Sequence, residues 1–215
     1  MKLNYFLFLV LAVLLPLKAI GETYQFESGK DFQTYKMPIG QAILPNGKVP
    51  IQFFFQYNCQ PCLTASDNLR LYLKQYSDKV SIDNIPAAVK DEEAHAKIYY
   101  ALKSVKGSGI ADLLLFDSTY ADKNSKYTET FSNWLQRHSI NQDSVEEAIN
   151  SPSVLLETKQ AIENTQKYGV VTVPFAVVGG RYVLTKSTLF NSDYTTDVLN
   201  FLVNKLHEQE KEVKN

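Results

Sequence analysis

The sequence predicts an α/β fold in which a helical block is inserted within the α/β unit. Three observations carry this. Val49 to Tyr57 (VPIQFFFQY) is a β-branched and aromatic run bounded by turn residues, as a buried strand is. From Asp91 to about Tyr168 the apolar residues recur at helical spacing. Strand periodicity then returns in Val170 to Val178 and Arg181 to Leu184, around the pair Gly179-Gly180.

The elements follow in chain order. Met1-Lys2 is a short positive start, Tyr5 to Leu15 is unbroken apolar sequence, and Ala19-Ile20-Gly21 puts small residues before a cut after Gly21. This reads as a secretory signal peptide over residues 1–21. An uncleaved anchor is the alternative, but a spanning helix needs about 20 apolar residues. Cleavage would remove Lys2 and Lys18 and leave 20 basic against 23 acidic residues. Tyr24 to Met37 alternates weakly around Gly29 and reads as an edge strand or ribbon. Pro45-Asn46-Gly47 is a turn, and Val49 to Tyr57 the central strand. A helix follows, with Cys62, Ala65, Leu69, Tyr72, Leu73 and Tyr76 on one face and Thr64, Asp67, Asn68, Arg70 and Lys74 elsewhere. Val80 to Ile85 is a second strand.

In the helical block, Ala94, Ile98, Leu102 and Val105 form one stripe, and Tyr127, Phe131, Trp134, Leu135 and His138 another. Gly107 to Gly109 and Asp122 to Ser125 read as loops, and Ser151-Pro152 as a capped helix start. The last helix carries Tyr194, Val198, Phe201, Leu202 and Leu206. The units are thus 22–89, an insertion over 90–164, and 165–215.

Composition narrows the function. Apolar residues make up 45% and charged residues 21%, the profile of a folded soluble protein. A net charge of −1 supplies no basic field for nucleic acid. Two cysteines are too few for a disulfide-stapled scaffold or a four-cysteine zinc site.

Those two are Cys59 and Cys62, in Cys59-Gln60-Pro61-Cys62, at the start of the predicted helix. The unpaired N–H groups and positive dipole at a helix N-terminus favour a thiolate, the species that attacks disulfides. Cys59, at the solvent end, is the nucleophile; Cys62, one turn in on the buried face, resolves the mixed disulfide. Pro61 fits a first turn, where its missing N–H has no partner. A static disulfide across so short a loop would remove little chain entropy. A metal would need two further ligands, and His95, His138 and His207 show no paired spacing. Val173-Pro174 is the second constellation. Proline within an apolar strand-like run is resolved either by an edge position in trans or by a strand that starts after a cis bond.

FFFQYNCQPC (Phe53 to Cys62), VTVPFAVVGGRYVL (Val171 to Leu184) and the helical block between them resemble the DsbA-type thiol:disulfide oxidoreductases of the thioredoxin superfamily. The resemblance covers nearly all of residues 22–215. It implies a thioredoxin fold with an inserted α-helical domain, a periplasmic location and no cofactor beyond the redox-active Cys59–Cys62 pair. It implies a cis Pro174 beside the disulfide, with the Val173 backbone pairing to an extended substrate segment. The implied partners are reduced or misoxidised secreted proteins and a membrane quinone-linked reoxidant of the DsbB type, with the chain a monomer.

Two departures bear on direction. Oxidising members carry Pro-His between the cysteines; here the pair is Gln60-Pro61, closer to the reducing thioredoxins. Neutral Gln60 stabilises the thiolate less, which predicts a less oxidising couple. The family also often places an acid on the strand before CxxC. Val49 to Tyr57 has none, which leaves Asp83 on the next strand as the candidate proton relay to Cys62, or as a solvated strand-end residue. The rival functions are a reductase or isomerase kept reduced by a membrane donor, and a client-binding chaperone module whose disulfide is static.

Overall fold

The structure, a computed structural model, describes residues 26–124 and 130–214. The leader at 1–21, Tyr24 and Tyr127 lie outside the described residues. Five strands form one sheet: β1 (Gln33–Thr34), β2 (Val49–Phe55), β3 (Val80–Pro86), β4 (Phe175–Val178) and β5 (Tyr182–Thr185), in the order β1-β5-β4-β2-β3. The helices are α1 (Gln60–Gln75), α2 (Ala94–Lys106), α3 (Ser108–Asn124), α4 (Phe131–Arg137), α5 (Gln142–Ile149), α6 (Pro152–Lys167), α7 (Lys186–Leu189) and α8 (Ser192–Lys214). Helices α2 to α6 are inserted between β3 and β4. This is a thioredoxin fold with an inserted helical domain.

β2 is parallel to β3 and antiparallel to β4, and all its side chains but Gln52 are buried. With helices on both faces, such a strand has no polar side to offer water. Residues in register share a face of the sheet. Phe53 therefore lies beside Asn84 on the face that α1 covers, and Gln52 beside Asp83 on the other. On that second face Phe54 packs on Tyr168, at the end of α6, and on Phe175. α8 packs with α1 and α7.

Several expectations are corrected. Among the described residues of the stretch Tyr24 to Met37, only Gln33–Thr34 forms strand. The residues before it close a turn in which the Glu27 N–H donates to Asp31 Oδ2 at 2.7 Å. Asn68, expected away from the buried face of α1, is buried and donates to the Leu189 carbonyl at 2.9 Å. In α2 the stripe expected on Ala94, Ile98, Leu102 and Val105 holds for Leu102, which is buried, and for Ile98 and Val105, which pack partly buried against the core, while Ala94 is exposed and the buried surface is wider than the stripe. The buried residues are Ala96, Tyr99, Tyr100, Ala101 and Leu102, because α2 packs against α3, α5 and α6 together. Only Gly107 separates α2 from α3; Ser108, Gly109 and Asp122 to Asn124 are helical rather than loop, and Ser125 lies outside the described residues. Val170 to Pro174 are not strand, and β4 begins at Phe175.

The helix start at Ser151-Pro152 is as expected, with the Ser151 hydroxyl accepting the Val154 N–H at 3.3 Å. The β4–β5 hairpin turns on Gly179 and Gly180, at φ 56° and 60°, as two-residue turns of this hand require. A Cβ on Gly180 would also strike the Ile39 carbonyl.

Candidate active site

β2 ends at Phe55, and the chain then makes one abrupt change of direction into α1. Asn58 takes that corner at φ 60°, a left-handed conformation that asparagine tolerates better than most residues. Cys59 follows as the N-cap of α1, in extended conformation. Its carbonyl and its sulfur both accept the Cys62 N–H, at 3.0 and 3.2 Å. No acidic residue stands in the first turn to oppose a negative charge there. Cys59 is partly exposed, whereas Cys62 is fully buried. The two are joined in a disulfide with an S–S distance of 2.00 Å. Gln60 and Pro61 form the first helical positions between them.

The second constellation comes to the same end of the sheet. Phe54 pairs with Phe175, so continuing that register sets Pro174 opposite Phe55 and Val173 opposite Gln56. The Val173-Pro174 bond is cis. Among the described residues no hydrogen bond engages the Val173 backbone, which leaves its donor and acceptor open. Beside it lies a cleft of about 180 Å³ lined by Gln56, Ala88, Val89, Glu92, Val171 and Val173. Val171 is 92% exposed, so an apolar side chain stands in water at the rim.

The structure does not bring Asp83 to Cys62. Asp83 lies on the sheet face away from α1, with Lys103 and Glu157 as its charged neighbours. Desolvation raises its carboxyl pKa even though its side chain keeps contact with solvent. On the α1 side of the sheet lie two acids, Asp67 of α1 and, hydrogen-bonded to the sheet, Asp112 of α3. Asn84 donates to it at 3.2 Å, and burial raises its carboxyl above the ordinary range. It lines a cavity of about 560 Å³ between α1, β3 and α3 that also includes Leu63 and Ser66, next to and one turn below Cys62. In the sequence Asp112 is one more acid in a helical run; only the packing of α3 beside α1 singles it out.

Two further contacts reach the redox corner from α3. The Tyr57 hydroxyl donates to the Ala111 carbonyl at 3.1 Å, and the Asn58 N–H donates to Ser118 Oγ at 3.3 Å. Burial pushes the Tyr57 phenol well above its usual pKa. The His95 ring meets the Tyr57 ring edge-on, with centroids 5.8 Å apart. Nothing in the sequence pairs Ser118 with Asn58, 60 positions apart. Among the described residues no group of three or more His, Cys, Asp or Glu is placed to hold a metal ion.

Comparison with known proteins places this geometry. No protein-family model matches the chain. An uncharacterised protein of Haemophilus influenzae is 39% identical over 196 residues, covering 89% of this chain and 82% of that one. The DsbA of Pseudomonas aeruginosa superposes with a TM-score of 0.72 at 18% identity, over 86% of this chain and 97% of that one. The chain belongs to one family with the Haemophilus protein, and its fold is that of DsbA. The DsbA fold also relates it to the oxidoreductase NmDsbA1 of Neisseria meningitidis, with a TM-score of 0.68 at 22% identity over 86% and 96% of the two chains. In sequence, the thiol:disulfide interchange protein DsbA of Pseudomonas syringae is 22% identical over 195 residues, 87% of this chain and 88% of that one.

Proposed function

We propose that the protein is an exported thiol:disulfide oxidoreductase that forms disulfides in secreted proteins. One observation carries the reading: a disulfide at a helix N-terminus with its outer sulfur, Cys59, reachable and its inner sulfur, Cys62, buried. A client thiolate attacks Cys59 Sγ, the Cys59–Cys62 bond breaks, and Cys62 leaves as a thiolate. A second client thiolate then attacks the client sulfur of the mixed disulfide and expels Cys59. The client loses two electrons and two protons, and the protein keeps both electrons as a dithiol. A membrane quinone-linked partner of the DsbB type takes those electrons and restores the disulfide. No cofactor enters the exchange.

The open Val173 backbone and the cleft beside Gln56 suit an extended client segment held by main-chain hydrogen bonds. Residues 1–21 are the export signal, and the working place is the periplasm. Among the described residues no helix is long and apolar enough to cross a membrane.

One observation favours the opposite direction. Gln60 puts no positive charge beside Cys59, so the thiolate is less stabilised than where a histidine stands there. The protein would then work as a reductase or isomerase. The reduction potential against glutathione separates the two, DsbA lying at roughly −120 mV and thioredoxin at roughly −270 mV. We expect a value below that of DsbA. A potential equal to that of DsbA would overturn the argument from Gln60, and one at the thioredoxin end would reverse the direction. Cys59→Ala should abolish exchange with a reduced client protein. Client binding or suppression of aggregation that survives in full in that variant would instead favour a client-binding module whose disulfide is static.

A further inference from the structure

Tyr57 and Asn58, the two residues before Cys59, are both hydrogen-bonded to α3 of the insertion. Tyr57 donates its hydroxyl proton to the Ala111 carbonyl in a buried contact of 3.1 Å. Asn58 donates its backbone N–H to Ser118 Oγ at 3.3 Å. The Ser118 hydroxyl in turn donates to the Leu115 carbonyl at 3.2 Å, which turns its lone pairs toward Asn58. Ala111 and Ser118 are two helical turns apart and so lie on one face of α3. The left-handed Asn58 is thus braced from two points of one rigid rod, and the next residue is the N-cap whose sulfur accepts the Cys62 N–H.

We propose that α3 is a splint for the redox corner, with Ser118 and Tyr57 as positioning residues that hold Cys59 Sγ over the N-terminus of α1. Neither residue touches the reacting sulfur. Each acts by limiting the swing of the 57–58 segment, so that the Cys59 thiolate keeps the Cys62 N–H and the positive helix end. Loss of a brace lets the sulfur leave that position, and its thiol pKa rises. The inserted domain therefore has a share in setting the reactivity of a cysteine that belongs to the sheet unit. This deepens the exchange reading given above and rests on it for its biological meaning.

The test uses the full-length reduced protein and follows Cys59 thiolate absorbance against pH, a readout that needs no client. Ser118→Ala and Tyr57→Phe should each raise the Cys59 pKa by about half a unit. Together they should raise it by about one unit, with a roughly tenfold loss of thiolate-dependent alkylation below that pKa. Ser118→Thr keeps the hydroxyl and should restore the wild-type value. Thermal unfolding is recorded on the same samples. A lowered midpoint with an unmoved Cys59 pKa would make both contacts merely structural and overturn the proposal, as would an unmoved pKa in the double variant. If the wild type fails to exchange disulfides while the pKa still responds, the splint stands and the exchange reading fails.

Discussion

The sheet and the insertion are held together by different means. Phe53, Phe54 and Phe55 in β2 are at most 1% exposed, and stacked, tilted or edge-on rings continue from them to Tyr57, Tyr99, Tyr168 and Phe175. The insertion shares that apolar core, and polar side chains that reach between its helices add directional contacts. Asp117 on α3 is the clearest case. Its Oδ2 accepts from Trp134 Nε1 at 2.7 Å, from Arg137 Nη2 at 3.3 Å and from His138 Nε2, in the tautomer or ion that donates, at 3.2 Å. Lys103 on α2 meets Glu157 on α6 at 3.1 Å. Burial of area is non-directional and tolerant of small errors, whereas a shared carboxylate demands each donor in its place. The sheet is thus a general scaffold and the insertion a set of particular fittings.

The largest effect should come from breaking the sheet side. Phe54→Ala empties a fully buried aromatic site and should cost about 3–5 kcal/mol of global stability, read by denaturant unfolding. A loss below about 1 kcal/mol would mean that the aromatic sheet core contributes less to stability than the polar fittings of the insertion. Next, Asp117→Ala leaves the buried Trp134 N–H without its acceptor and should cost about 1–3 kcal/mol. Here the contrast sharpens: amide exchange should accelerate over residues 131–138 well before it does in β2. Uniform acceleration would merge the two regions into one cooperative unit.

The smallest effect is a slope in pH. Burial raises the Asp112 carboxyl above its ordinary 3.8, so in the window just above that value the folded chain holds a proton that the unfolded chain has released. Stability therefore falls as pH climbs through that window and stays lower above it. Asp112→Asn should remove this part of the slope, unfolding at a higher temperature than wild type at pH 7 and at nearly the same temperature at pH 3. An equal difference at both pH values would assign the effect to packing.

The same contrast explains what is legible in the sequence. β2, α1, the hairpin on Gly179-Gly180 and the cap at Ser151 carry local signals: apolar runs, helical spacing, turn glycines, a serine before a proline. Cys59 and Cys62 are legible because their chemistry needs only a helix start and three residues of separation. Val173-Pro174 stands out by contradiction, a proline within the pattern of a strand. The stripe on α2 is incomplete because a helix enclosed by three others has more than one buried side, and periodicity assumes one. Asp112, Asp117 and Ser118 leave no trace, since a polar residue on a helix looks solvated until another element is set beside it. Asp83 draws attention by its place in the chain and loses it by the parity of a strand, which turns its side chain to the other face.

The chain crosses between sheet and insertion twice, at residues 87–93 and 168–174, and both crossings line the cleft beside Gln56. Whatever occupies that cleft touches both links between the sheet and the insertion at once. Should those links shift, shift and occupancy would be coupled: an arrangement that grips the occupant better is favoured by it to the same extent, in free energy, as it favours the occupant.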